Sequence, residues 1–85
     1  MKIGYKPLFI RQFNKLPKAL QEEVLEKIEL FKSTSNHQTL KVHKLHGQFR
    51  GCYSFSINYR YRIVFNYTTK TEVAVLAIGD HDVYR

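Results

Sequence analysis

Apolar residues near the start of the chain recur at the spacing of an amphipathic helix. Phe9, Phe13 and Leu16 stand four and then three positions apart. Pro7 precedes them and suits the first turn of a helix, where its missing N–H costs nothing. The pattern therefore predicts a first helix that begins near Pro7 and ends before Pro17.

A second amphipathic helix is predicted from about Lys18 to Lys32. Its apolar stripe consists of Leu20, Val24, Ile28 and Phe31. Four glutamates mostly face away from this stripe: Glu22, Glu23, Glu26 and Glu29. We expect the two helices to form a hairpin that lays both apolar faces on a sheet.

From Leu40 onward the period of the pattern changes to two. Apolar and polar residues alternate over 53–58 and again over 60–67, as in strands with one buried face. The run 73–78 is apolar throughout, as expected of a strand covered on both faces. Residues 2–6 alternate weakly and are predicted to form a first strand. The predicted fold is α+β, in the order β-α-α-β-β-β, with a two-helix hairpin packed on one face of an antiparallel-rich twisted sheet.

The same alternation predicts how the strands over 53–58 and 60–67 pair. A two-residue turn would set Phe55 opposite Arg62 and mix core with charge, whereas a longer turn aligns Phe55 with Ile63 and Ser56 with Arg62. A shift by one residue turns every side chain to the other face, so the hydrophobic pattern favours the second register. This register places Ser54, Ser56 and Arg62 on the face opposite the helices.

Length and composition predict one small domain over residues 1–85. Hydrophobic residues make up 44% of the 85 positions, which is enough for a packed core. Cys52 is the only cysteine, so no internal disulfide is expected. No apolar run approaches the roughly 20 residues that span a bilayer, and the N-terminus lacks the apolar region of a signal peptide. We therefore expect a cytoplasmic protein that makes no membrane contact.

Charge is unevenly distributed along the chain, whose formal net charge is +7. No acidic residue stands between Glu29 and Glu72, and the basic residues of that interval are Lys32, Lys41, Lys44, Arg50, Arg60, Arg62 and Lys70. A segregated basic half indicates an anionic partner, either nucleic acid or an acidic protein.

Four stretches carry a resemblance to a known family: Leu45–Gly51, Tyr53–Ile57, Tyr61–Phe65 and Ile78–Arg85. Together with the predicted element order, they resemble the RelE/ParE toxin superfamily, in particular its RelE/StbE/YafQ-like members. The resemblance spans essentially the whole chain. It implies the toxin half of a type II toxin–antitoxin pair, inhibited in a heteromeric complex by a cognate, acidic antitoxin that wraps around it.

The resemblance implies two alternative activities. RelE- and YafQ-like members are mRNA interferases, endoribonucleases that cleave mRNA in the A site of the 70S ribosome without a metal. ParE-like members share the fold and inhibit DNA gyrase without being enzymes. Our leading hypothesis is the ribosome-dependent mRNA endonuclease; a gyrase inhibitor and a degenerate member that only binds antitoxin or nucleic acid are the alternatives. No cofactor is expected, and the spacing of His37, His43 and His46 matches no standard zinc motif.

Metal-free cleavage through the 2′-OH needs a base, an acid and a cation that stabilises the charged phosphorane. The resemblance implies that Arg62 contacts the scissile phosphate and that His81 is the general acid or base. It implies that Tyr84 stacks on a base or positions the phosphate. His43 and His46 are two further candidates for the base, because both lie in the basic segment before the strand over 53–58.

RelE carries a pair of lysines on the strand that reads Ser54 and Ser56 here. Hydroxyl groups carry no positive charge, so other residues have to stabilise the negative charge of the phosphate. The remaining candidates for binding RNA or phosphate are Lys41, Lys44, Arg50, Arg60 and Ser56.

Overall fold

Two helices and five strands form over residues 1–80, the part of the chain that the computed structural model describes. The helices are α1 (Pro7–Asn14) and α2 (Lys18–Phe31). The strands are β1 (Lys2–Tyr5), β2 (His43–Lys44), β3 (Tyr53–Ser56), β4 (Arg62–Tyr67) and β5 (Glu72–Gly79). The predicted roles of His81 and Tyr84 fall outside the described residues.

Both helices form where the apolar spacing predicts them. Phe9 on α1 and Val24, Ile28 and Phe31 on α2 are buried in the core. The side chain of Gln21 donates a hydrogen bond to the carbonyl of Phe13 (2.9 Å) and ties the hairpin together. Neither helix of the described part is both long and apolar enough to cross a membrane.

The strands form one sheet in the order β1-β5-β4-β3-β2. β1 runs parallel to β5, and the other neighbours pair antiparallel. The predicted α+β, antiparallel-rich fold is therefore confirmed. The structure adds the two-residue strand β2, which the alternation was too short to indicate, and β2 pairs His43 with Ser54.

The predicted register between β3 and β4 is confirmed, since Phe55 pairs with Ile63 and Ser56 with Arg62. Between β4 and β5 the register shifts by one residue after Val64. This bulge lets Val75 and Ile78, three positions apart on β5, both lie in the core. It also brings Gly79 opposite Arg62 at the end of the sheet.

The core between helices and sheet is centred on three aromatic rings. The ring of Phe31 stacks on that of Phe55 (centroids 4.4 Å apart) and meets Phe65 edge-on at 4.8 Å. The opposite face of the sheet is less open than the alternation indicates, because Ser54 is 0% exposed and Val64 is also buried.

The turn between β3 and β4 is held by one side chain, that of Asn58. Its Oδ1 accepts hydrogen bonds from the backbone N–H groups of Arg60 and Tyr61, both at 2.8 Å. Its Nδ2 donates to Oε1 of Glu23 on α2 (2.7 Å). The side chain of Asn58 therefore stabilises the turn over residues 58–60 and also connects it to α2.

We expect Asn58→Ala to lower the free energy of unfolding by about 1–3 kcal/mol, because two backbone donors and Glu23 lose their partner. Asn58→Asp keeps both turn acceptors but brings two carboxylates together, and its cost should shrink below about pH 4, where carboxylates become protonated. Urea unfolding at neutral and acidic pH measures both variants. Equal stability of Asn58→Ala and wild type would show that the turn does not depend on this residue.

Candidate functional site

Four polar residues lie on two neighbouring rows of the sheet face opposite the helices. One row pairs Ser56 with Arg62 and ends at Gly79. The adjacent row pairs His43 with Ser54. We call His43, Ser54, Ser56 and Arg62 the β2–β4 cluster. It brings together a predicted base and the predicted phosphate-binding arginine, which stand 19 positions apart in sequence.

Arg62 is half-buried, and its guanidinium reaches across to the neighbouring strand. Its Nη1 donates a hydrogen bond of 2.5 Å to Oγ of Ser56. The partner of Nη1 is thus an uncharged hydroxyl group and not a carboxylate. A half-buried guanidinium of this kind retains donors for a phosphate oxygen.

His43 is held in one tautomer by the backbone. Its Nδ1 lies 2.8 Å from the carbonyl oxygen of Lys41, which can only accept, so Nδ1 carries the proton. In the neutral ring the lone pair is then on Nε2, which lies 3.4 Å from Oγ of Ser54. This contact is long for a hydrogen bond, and His43 is exposed. The arrangement leaves Nε2 able to accept a proton from a bound hydroxyl group.

His43 and Arg62 lie on two strands with one strand between them. β2 and β4 are separated by β3, so their backbones lie about 10 Å apart. The side chain of Arg62 extends from β4 to β3, where its guanidinium bonds Ser56. Along β3 the rows of His43 and Arg62 are two residues apart, and the residue in the His43 row, Ser54, is fully buried.

A cavity of about 420 Å³ opens beside Arg62, and we call it the Arg62 cavity. It contains the predicted ligand residues Lys41 and Ser56. It also contains two residues that the sequence did not single out, Lys27 of α2 and Tyr59 of the β3–β4 turn. No sequence signal marked these two, because Lys27 belongs to the polar face of a helix and Tyr59 to a short turn.

Lys41 has a backbone φ of +59°, in the left-handed region that residues with a side chain rarely adopt. The conformation turns the chain so that the carbonyl of Lys41 meets His43. We expect Lys41→Gly to raise the free energy of unfolding by between 0 and about 1 kcal/mol, since relief of strain is offset by the entropy of glycine. Urea unfolding measures this. Clear destabilisation would show that the lysine side chain stabilises the turn.

Three other candidates lie together at the opposite end of β3. Lys44, His46 and Arg50 line a cavity of about 250 Å³ with Tyr53 at its edge. The turn that presents them includes Gly47 (φ +67°), a conformation that a side chain disfavours. The structure therefore separates His46 from Arg62 and places His43 nearer to it.

Arg60 is not brought to the β2–β4 cluster. Its guanidinium carbon lies 5.4 Å from the centroid of the Tyr61 ring, which packs on the core side. Its predicted contact with phosphate remains a prediction. His81 and Tyr84 lie outside the described residues; Gly79, which pairs with Arg62, precedes His81 by two positions.

Two residues at the ends of their elements, Tyr67 and Lys32, have raised pKa values. Burial raises the pKa of Tyr67 at the other end of β4, with a smaller contribution from Tyr53. The hydrogen bond to Glu29 raises the pKa of Lys32 at the end of α2.

Comparisons with known proteins identify the fold. No protein-family model matches the sequence, and no curated protein matches it. A YoeB/ParE toxin from Agrobacterium tumefaciens superposes with a TM-score of 0.76 at 19% identity, over 95% of this chain and 99% of that one. A chain of the archaeal RelE–RelB complex from Pyrococcus horikoshii gives 0.73 at 18% identity, over 96% of both chains.

YafQ from Escherichia coli superposes with a TM-score of 0.71 at 11% identity, over 98% of this chain and 96% of that one. Nearly full coverage of each chain means that the whole architecture is shared. The chain is therefore an α+β protein whose helical hairpin and five-stranded mixed sheet have the same fold as these solved structures.

Proposed function

We propose that the protein is the toxin of a type II toxin–antitoxin pair and cleaves mRNA in the ribosomal A site without a metal. The observation that carries this proposal is the β2–β4 cluster. On a fold shared with RelE and YafQ, it sets an imidazole of defined tautomer and an arginine that bonds a hydroxyl group on the same face of the sheet, two strands apart. Base and cation are two of the three groups that metal-free cleavage through the 2′-OH requires.

The reaction assigned to the cluster is attack of a ribose 2′-oxygen on the adjacent phosphorus. Nε2 of His43 takes the 2′-OH proton while the new P–O bond forms. Arg62, with Ser56 behind it, stabilises the negative charge on the phosphorane oxygens. The bond from phosphorus to the 5′-oxygen then breaks, and an acid, for which His81 is the predicted residue, protonates the leaving oxygen. The products are a 2′,3′-cyclic phosphate and a 5′-OH.

The partner that we propose is an acidic antitoxin in a heteromeric complex. The net charge of +7 and the acid-free interval from residue 30 to residue 71 favour an anionic polypeptide as well as RNA. Two of the similar structures are toxin–antitoxin complexes, RelE–RelB from Pyrococcus horikoshii and YoeB–YefM from Staphylococcus aureus. Because the substrate is translated mRNA, the cytoplasm is the proposed site of action.

One observation favours a second function, inhibition of DNA gyrase without catalysis. The strand β3 carries hydroxyl groups in place of the expected ammonium groups, and Ser54 is fully buried, so it offers no charge to a substrate. A ParE-like inhibitor is not an enzyme and needs no ammonium groups on this strand. The histidine and the arginine on one face of the sheet support the nuclease instead.

Mapping mRNA 5′ ends in cells tests the two functions. The chain is expressed from a tightly controlled promoter as wild type, Arg62→Ala or His81→Ala. Cuts at fixed positions within translated codons, absent in both variants, are expected for the nuclease. Growth arrest with intact mRNA and DNA damage would contradict the nuclease and support gyrase inhibition. Arrest and cleavage that persist in both variants would remove these two residues from the mechanism.

A further inference from the structure

Tyr59 at the tip of the β3–β4 turn is 89% exposed, although its phenol ring has a large apolar surface. The turn that carries it is not loose, because Asn58 bonds the two backbone N–H groups that follow Tyr59 and the carboxylate of Glu23. An exposed aromatic ring on an anchored turn is a preorganised surface for stacking. It loses little conformational entropy when a planar ligand binds.

Tyr59 stands at the rim of the Arg62 cavity, whose charged lining residues are all cations: Lys27, Lys41 and Arg62. Lys27 is half-buried yet has no ion pair within residues 1–80. The carboxylate one turn before it, Glu23, bonds Asn58 instead. Among residues 1–80, Lys27 is therefore a half-buried cation that forms no ion pair.

The dimensions and remaining lining of the cavity match one nucleotide. Its volume of about 420 Å³ falls within the range of about 300–1,000 Å³ for small-ligand pockets. Besides the cations and Tyr59, its lining consists of the polar residues Thr39, Ser56 and Asn58 and the apolar residues Leu30, Leu40 and Ile57. Arg62 forms the wall shared with the β2–β4 cluster, so a nucleotide in the cavity is adjacent to a phosphate held at Arg62.

We propose that the Arg62 cavity is a subsite for the nucleotide next to the scissile phosphate of single-stranded RNA. In this subsite the base stacks on Tyr59, and Lys27 and Lys41 contact the phosphate on its far side. The inference rests on the proposed function for the position of the scissile phosphate. Stacking on an aromatic ring accepts any base, so the subsite provides affinity and position for single-stranded RNA and little base specificity.

RNA fits the cavity better than an acidic segment of a protein partner does. Carboxylates would satisfy the cations, but they make no use of an exposed ring held at the rim. Alternating phosphates and bases use both features at once, which is the usual composition of single-strand binding surfaces.

The test measures binding of a short, fluorescein-labelled 2′-O-methyl RNA of mixed sequence by fluorescence anisotropy over a range of salt concentrations. Methylation of the 2′-oxygens prevents cleavage, so the result does not depend on catalysis. Tyr59→Ala is expected to weaken binding about 5- to 150-fold with an unchanged salt slope, and Tyr59→Phe to bind within about twofold of wild type.

Lys27→Ala is expected to reduce the slope of log K against log salt by about 0.7, the loss of one phosphate contact. The matched control is Lys70→Ala, which removes an exposed cation beyond the opposite end of β4 and should leave the slope unchanged. Thermal unfolding of each variant verifies that it is folded at the temperature of the binding measurement.

Equal affinity of Tyr59→Ala and wild type overturns the proposal, as does equal salt dependence of Lys27→Ala and Lys70→Ala. Absence of RNA binding by the wild type, or displacement of RNA by a poly-glutamate peptide whose own affinity is unchanged by Tyr59→Ala, also overturns it. If one of these results is obtained and the protein still cleaves mRNA in cells, only the subsite is contradicted and the proposed function stands. If RNA binding depends on Tyr59 but the protein cleaves no mRNA, the subsite stands and the proposed nuclease function is contradicted.

Discussion

Arg62→Ala is expected to slow mRNA cleavage on the ribosome about 100- to 1,000-fold, the usual effect of removing one donor aimed at developing charge. Its guanidinium is the cation of the β2–β4 cluster, and the group that it bonds is an uncharged hydroxyl. The hydrogen bond to Ser56 orients the group over β3, so little reorganisation is needed when substrate binds. Single-turnover cleavage of an mRNA bound in the A site of purified ribosomes measures the rate.

Two variants control for this result. Arg62→Lys keeps the positive charge but cannot form bidentate hydrogen bonds to a phosphate. Its cleavage rate is expected to lie between those of wild type and Arg62→Ala. Arg11→Ala removes an exposed arginine from α1, on a different part of the surface, and should cleave at the wild-type rate. If Arg62→Ala cleaves as fast as Arg11→Ala, Arg62 does not contact the reacting phosphate.

His43→Gln is expected to lower the same rate about 100- to 10,000-fold, the range for loss of a general base. The amide of glutamine can still bond the Lys41 carbonyl, but it cannot accept a proton. His43 lies on an edge strand and is exposed, so the change should leave the fold intact. The rate at saturating enzyme therefore reports on chemistry and not on stability.

His37→Gln is the matched histidine control. The ring of His37 stacks on Phe31 at 4.7 Å, and its Nε2 bonds the carbonyl oxygen of Phe31 at 2.8 Å. Its replacement should lower the unfolding temperature and preserve the cleavage rate wherever the variant is folded. If His43→Gln cleaves at the wild-type rate, His43 is not the base. His46 is then the remaining candidate of the two, and His46→Gln tests it in the same assay.

The fold followed from the sequence because its determinants are local and periodic. Spacings of three and four positions specified the helices, and strict alternation specified the pairing of Ser56 with Arg62, which β3 and β4 show. Alternation has to persist over several residues before it indicates a strand. β2 has only two, so this edge strand and the pairing of His43 with Ser54 could not be predicted.

The candidate site followed only in part, because its members come from distant parts of the chain. The predicted set held Arg62 and His43 but did not distinguish His43 from His46, which the structure places at the other end of β3. Tyr59 and Lys27 were missed. Their meeting in one cavity depends on how α2 lies on the sheet, a long-range property with no periodic signal.

By itself, the sequence determined the element order, the buried face of each helix and strand, and the basic character of the second half. These follow from hydrophobic period and charge, which each segment carries within itself. Only the tertiary structure decided which polar groups meet. The tautomer of His43, the burial of Ser54, the pairing of Gly79 with Arg62 and the separation of Lys27 from Glu23 all depend on contacts between segments. Such contacts form only when the whole core has packed.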